Sequence, residues 1–354
     1  MRLPKVYLDF ETRSMVDLKR SGVHVYAEHE STDILCMAYA IDDGEVKLWQ
    51  NWREYPRDLA TLHFSGEPYQ VVAHNAAFEA TIWREVGHSK YGWPFLEAHQ
   101  WHCTMAMAYA MALPGSLERA AAAVGIDKQK DMKGHRTMMQ LSQPRSVAAD
   151  GTPTWWEDSE KFEKLHEYCR QDVEVERELY KRLLRLSERE KNIWQLDQEI
   201  NRRGVSVDLT AVKKALALAA YEKNRLNEEM REVTKNQVAT CNANAQLTAW
   251  IENQGIDLKG VAKSDVLELL NNVSLPADVR RALLLRQEAA KSSTAKLEAM
   301  MESVSKDGRI RGLFQYHGAG TGRWAGRRVQ LQNLPRPQMK THEIEEVFKI
   351  LNAT

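Results

Sequence analysis

A run of β-forming residues at 6–12, VYLDFET, carries two acids where a core strand ordinarily carries none. Alternation along a strand sends residues two apart to the same face, so Asp9 and Glu11 share a face. A buried acid is costly unless something neutralises or hydrogen-bonds it. That cost restricts the chain to folds in which this face meets a cation, a donor or solvent. Downstream, DILCMAYAI (33–41) and VKLWQ (46–50) flank the turn Asp42-Asp43-Gly44 and predict a hairpin, and YQVVAH (69–74) predicts a short buried strand. Asn75 is the expected N-cap of a helix running through Val86 and closed by Gly87. Strands first and helices afterwards indicate an α/β or α+β domain.

From Thr104 the pattern turns helical, with Pro114-Gly115-Ser116 as a break and Ser116 as a cap. Residues 128–154 are polar and broken by Gly and Pro, which predicts loop around one short helix. A long helix opened by Ser159 is expected to run to about Glu190. The break NRRG (201–204) precedes SVDL (206–209), which opens a second, charged and helical half that becomes rich in Gly and Arg after Gly308. The expected division is a first domain over 1–190 and a second over 191–354, consistent with a soft prior of about 150 residues per domain.

Charge is balanced overall, with 49 basic and 49 acidic residues, but unevenly placed. Residues 1–100 hold 15 Asp/Glu against 10 Lys/Arg, whereas residues 280–340 hold 13 Lys/Arg against 4 Asp/Glu. An acidic head and a basic tail suit a cation site at one end and a polyanion contact at the other, although an unevenly charged solvated surface gives the same counts. No apolar run is long enough to span a bilayer, and the start lacks a secretory pattern. Cys36, Cys103, Cys169 and Cys241 have no paired spacing for zinc or redox work, and free thiols fit a reducing compartment. A soluble cytosolic protein is expected.

Two more acidic positions join the first pair. Glu79 lies in the opening turn of the expected helix after the buried strand, and Asp172 lies four residues after Tyr168, on one helical face. Taken singly these are ordinary: Glu79 as a helix-N-terminal acid, Glu11 as strand-edge surface, Tyr168 as packing, Asp172 as a solvated acid. Taken together, four converging carboxylates repel one another unless cations neutralise them. Oxygen-only ligands favour Mg²⁺ or Mn²⁺ over zinc. Two such ions about 3.5–4 Å apart activate water and stabilise a leaving 3′ oxygen, and a nearby tyrosine hydroxyl orients the water.

DFE (9–11), HNAAFE (74–79) and YCRQD (168–172), in that order, resemble the three motifs of the DEDD superfamily of 3′–5′ exonucleases. The Tyr-x-x-x-Asp form is that of its tyrosine subgroup, to which the proofreading domains of family A (polymerase I-like) DNA polymerases belong. NRRGVSVD (201–208), AKSSTAKLEAM (290–300) and GRIRGLFQYHGAGTGRWAGRRVQLQNLP (308–335) resemble the opening, thumb helix and thumb-to-palm segment of such polymerases, the likeness being to phage-type enzymes. The resemblance implies a ribonuclease H-like mixed sheet flanked by helices, then a mainly α-helical thumb-like region that holds DNA. It also implies a metal-dependent 3′–5′ DNA exonuclease with two divalent ions, Mg²⁺ or Mn²⁺, removing 5′-monophosphates from unpaired 3′ ends. Asp9 would bridge both ions, Glu11 and Asp172 would complete the pair, Glu79 would ligate or hold a water, and Tyr168 would orient the nucleophile. The second motif usually carries aspartate, so Glu79 is a departure that keeps the same oxygens one methylene further out.

The likeness further implies DNA contacts. Thr321, Arg323, Arg327, Arg328 and Asn333 would touch the backbone, and Lys291, Thr294 and Lys296 would track phosphates, although lysines on a solvated helix need no such role. Near the acids, His74, Asn75 and Phe78 would meet the terminal nucleotides, with core packing an equal account of Phe78. Trp324 fits a stacking or a core role. No palm or nucleotide-binding-helix motif of the family occurs before Thr354, so polymerisation by this chain alone is not expected. Two rival readings remain: a DNA-holding subunit completed by a second chain with palm and fingers, and an RNA-trimming exonuclease of the same superfamily. The expected setting is bacterial or phage-infected host cytoplasm, with DNA as partner and no membrane.

Overall fold

The structure is a computed structural model that describes residues 3–50, 54–126, 132–258, 260–271, 274–289, 294–334 and 339–353. Two compact units make up the chain: Met1–Val207 with Glu302–Gln332, and Asp208–Met301 with Asn333–Thr354. The first unit therefore takes in the Glu188–Arg203 helix and the Gly/Arg-rich segment.

A five-stranded mixed sheet organises the first unit, built from β1 (Lys5–Arg13), β2 (Asp33–Ile41), β3 (Lys47–Trp49), β4 (Gln70–Ala73) and β5 (Trp101–Cys103). Their order is β3-β2-β1-β4-β5. The β1–β2 and β2–β3 pairs are antiparallel, the latter being the expected hairpin, whereas β1–β4 and β4–β5 are parallel. Parallel strands need crossovers, and helices supply them, burying both faces of the sheet. Strand β1 is central and shows why both kinds of side chain occur in it. Val6, Leu8 and Phe10 enter one apolar cluster with Trp83, Trp93 and Trp101. Tyr7 faces the opposite cluster, with Cys36, Ala38, Val72 and the helix residues Leu165, Cys169 and Val173. By the period of two, Asp9 and Glu11 fall on this second face.

The Ser159–Arg182 helix covers that face. Its cap is Asp158, whose side chain accepts from Lys161 N, one residue before the expected Ser159. Leu165, Cys169, Val173, Leu179 and Tyr180 form its buried stripe, and the Tyr180 ring meets Tyr7 edge-on at 5.5 Å between centroids. The helix stops at Arg182 instead of reaching Glu190. Leu183 is extended, and Ser187 caps a new helix, Glu188–Arg203, by accepting from Glu190 N. A serine three residues before a glutamate at that point is a helix-start signal that outweighs continued helical propensity.

The expected stop at Gly87 is also corrected. The Ala76–Ile82 helix widens into a π-type turn at Trp83–His88 and runs on to Tyr91, where Gly92 ends it at φ 72°. Gly87 serves packing instead: a Cβ there would lie 2.7 Å from the Trp93 ring.

The second unit is helical. Its longest helix, Leu209–Val233, is capped by Asp208 and packs with the Ala277–Ala289 helix. Leu226, Met230, Leu247, Trp250, Ile251, Val279 and Leu283 form its core. Among the described residues no helix is long and apolar enough to cross a membrane.

Candidate active site

Three chain segments bring acids to one place on the sheet. On β1, Asp9 pairs in register with Ala38 and Glu11 with Cys36 of β2. Those small partners leave room on the covered face. A β-bulge follows directly between Glu11 and Thr12, a device that re-aims side chains beside functional sites. On the other side, β4 pairs with β1 only over Lys5–Tyr7, so the chain past its end runs free of β1 toward the Asp9 end of that strand. There the chain turns through His74 and Asn75 into the helix that carries Glu79. The Ser159–Arg182 helix brings Tyr168 and Asp172 over the same face.

Burial and mutual repulsion dominate the electrostatics. Glu11 and Glu79 are 7% and 3% exposed. Burial raises the proton affinity of Asp9, and the charge of Asp172 raises it further, with the Cys169 thiol opposing. Glu11 is raised by burial, then by Asp9, with Asp172 and Glu79 adding to it. Glu79 is raised by burial, then by Asp9. Asp9, Glu11 and Glu79 thus respond to one another or to Asp172, so Glu11 lies within electrostatic reach of Asp9, Glu79 and Asp172. The Tyr168 hydroxyl is 7% exposed with its residue and is held protonated by burial first and by Asp172 second, to which it donates.

The donor set fits hard divalent cations: carboxylate oxygens, with Glu79 Oε2 buried and without a hydrogen-bond partner. The side-chain rotamers do not themselves form a cage. Among the described residues no three His, Cys, Asp or Glu side chains are arranged to hold one metal ion.

One acid of the centre escaped the sequence reading. Glu176, 1% exposed, lies four residues beyond Asp172 and eight beyond Tyr168 on the same helical stripe. Its Oε2 accepts the His74 backbone N–H at 2.9 Å, and its Oε1 has no partner. Burial raises its proton affinity, followed by Asp9 and Glu79. The i, i+4, i+8 spacing was the available signal.

His74 is fully engaged. Its Nε2–H donates to Gly115 O at 2.9 Å, so Nδ1 accepts from the Thr104 hydroxyl at 2.8 Å. Burial lowers its pKa to about 4 and keeps it neutral. Asn75 occupies the N-cap position at φ 65°, but its side chain makes no capping bond. Left-handed backbone suits asparagine better than most residues. Phe78 is half-buried, 6.4 Å from the Tyr26 ring. Asn75 and Phe78 both line a cavity of about 1060 Å³ in the first unit, with Trp101, Tyr109, Asp197 and Arg327.

The Gly/Arg-rich segment forms a short ribbon, Phe314–Gln315 against Ala325–Gly326. Thr321 and Arg323 are exposed, as is Arg327, whose guanidinium bonds the Gln315 side chain. Arg328 instead turns inward at φ 53°, donating to Gly312 O at 3.0 Å with Nε unpartnered. Trp324 is 38% exposed and leans on Phe314 at 6.2 Å. Asn333 is exposed, and Lys296 is half-buried on the Thr294–Ser303 helix. Lys291 and the Thr294 side chain lie outside the described residues.

No protein-family profile matches the sequence. The chain is 38% identical over 355 aligned residues to the DNA polymerase of Bacillus phage SP02, covering 98% of this chain and 53% of that protein. In fold it matches the polymerase domain of Pol1 from M. smegmatis, solved with DNA primer-template and dNTP. That match has a TM-score of 0.57 at 17% identity and covers 95% of this chain and 53% of the other. The chain is therefore homologous to a phage DNA polymerase along nearly its whole length, has a polymerase-like fold, and spans about half the length of the relative it matches.

Proposed function

We propose that this chain is the 3′–5′ exonuclease-bearing part of a family A DNA polymerase, joined to a helical thumb-like region that holds DNA. The observation that carries this reading is the meeting of Asp9, Glu11, Glu79 and Asp172 from three separate segments, in motif order, with Tyr168 bonded to Asp172. The mixed sheet with helices on both faces supports a ribonuclease H-like first domain, and the homology to a DNA polymerase supports DNA as the substrate.

In this reading Asp9, Glu11, Glu79 and Asp172 hold two divalent ions, Mg²⁺ or Mn²⁺. When bound, such ions activate water and offset charge on the phosphate and the leaving 3′ oxygen. The protein does the rest by placement. Tyr168 donates to Asp172 and fixes that carboxylate, and its hydroxyl is the group best set to orient an attacking water. His74, neutral and bonded at both ring nitrogens, pins the turn that leads to Glu79. Asn75 and Phe78 ride on the turn and helix that carry Glu79, which supports them as contacts of an unpaired 3′ terminus. The exposed Arg323 and Arg327 suit backbone phosphates, whereas the inward Arg328 suits support of the ribbon.

The test is digestion of a 5′-labelled single-stranded DNA with Mg²⁺, beside Asp9→Ala and an EDTA control. Shortening from the 3′ end, lost in both controls, is expected. Intact DNA in the wild-type lane would overturn the nuclease reading.

A further inference from the structure

Beyond the four acids of the motifs, the centre contains a fifth buried carboxylate with an unpartnered oxygen, Glu176, within electrostatic reach of Asp9, Glu79 and Asp172. Glu176 is 1% exposed. One of its oxygens is committed to the His74 N–H at 2.9 Å, which ties the long helix to the turn before Glu79. The other, Oε1, is buried and unpartnered, as is Glu79 Oε2. A buried acid with one oxygen fixed and one idle costs stability unless a ligand uses the idle oxygen. The same helix presents Tyr168, Asp172 and Glu176 on one stripe, so the idle oxygen belongs to the face that bears the other acids.

We propose that Glu176 is a further metal-site residue: Glu176 Oε1 and Glu79 Oε2 together bind one divalent cation or a water attached to it. This rests on the exonuclease reading above and deepens it. The longer Glu79 arm then has a reason: it would carry its idle oxygen toward a second glutamate within its electrostatic reach, held on the Ser159–Arg182 helix. The competing account is structural, with the two glutamates sharing one proton and Glu176 serving only to bind His74.

Two substitutions separate these. Glu176→Gln keeps an oxygen for the His74 N–H and removes the charge, and Glu176→Ala removes both. Mn²⁺ binding is measured by electron paramagnetic resonance and titration calorimetry on the full chain without DNA, with melting in EDTA as a fold check. The expected result is that Glu176→Gln weakens one Mn²⁺ site by about tenfold or more while melting at or above the wild-type midpoint. Wild-type Mn²⁺ affinity in Glu176→Gln, with only Glu176→Ala losing stability, would overturn the proposal and leave the exonuclease reading standing. Absence of any Mn²⁺ site in the wild type that Asp9→Ala removes would overturn both.

Discussion

The thiol of Cys169 lies against Asp9, 3.5 Å from its main-chain oxygen and 3.6 Å from carboxylate Oδ2. A thiol is a weak donor and cannot offset burial beside Asp172. The charged form of Asp9 thus opposes folding wherever nothing neutralises it. Asp9→Asn is expected to raise stability in EDTA, because it removes a carboxylate whose charge burial and Asp172 both disfavour. The same change should abolish cleavage. Calorimetry in EDTA checks the first claim, and a lowered midpoint would count against it.

The same carboxylates set the response to pH. Asp9, Glu11, Glu79 and Glu176 all bind protons more tightly folded than unfolded. Their contribution is fully present below the unfolded values near 4 and is lost as pH rises through the folded ones. Without divalent cations the first unit should therefore melt lower at pH 8 than at pH 5. Adding Mg²⁺ at pH 8 should restore much of the loss by binding the folded state alone. Melting curves at the two pH values with and without Mg²⁺ test this; insensitivity to Mg²⁺ at pH 8 would contradict cation binding by the set.

Tyr168 should matter for rate more than for metal affinity, because its hydroxyl donates to Asp172. Tyr168→Phe is expected to slow single-turnover cleavage by about 10²-fold, the lower end for a positioned proton-handling group. Its Mn²⁺ affinity should stay near the wild-type value. Unchanged cleavage would remove Tyr168 from the mechanism.

Gly22 makes an independent prediction about the fold. It sits at φ 85°, ψ 166°, and a Cβ there would overlap the Arg328 guanidinium. Gly22→Ala should cost ~1–3 kcal/mol, from a backbone region open almost only to glycine. In urea unfolding, the double variant with Arg328→Ala should cost less than the two single changes together, because the overlap is gone while the backbone strain stays. Additive costs would mean that the guanidinium moves aside without penalty.

Much of this site was readable in the chain. The shared face of Asp9 and Glu11 follows from a period of two, and that of Tyr168 and Asp172 from a spacing of four. Helix ends were less legible. The break at Leu183 depends on Ser187 capping Glu190 N, and Gly87 reads as a stop although Trp93 needs the space of its missing Cβ. The inward turn of Arg328 was hidden as well, because an arginine among glycines reads as a phosphate contact until His24, Gly22 and Gly312 are seen around it.

The sequence by itself determined the strand that carries two acids, the hairpin beside it, the helical stripe of Tyr168 and Asp172, and the homology to a phage DNA polymerase. These are local patterns, set by side-chain period and turn chemistry. Only the tertiary structure decided that β4 ends beside Asp9, that Glu79 and Glu176 are buried with one oxygen each unpartnered, and that His74 is bonded on both ring nitrogens. Those facts depend on segments about 70 to 100 residues apart meeting across a parallel pair, and no short-range pattern encodes that meeting.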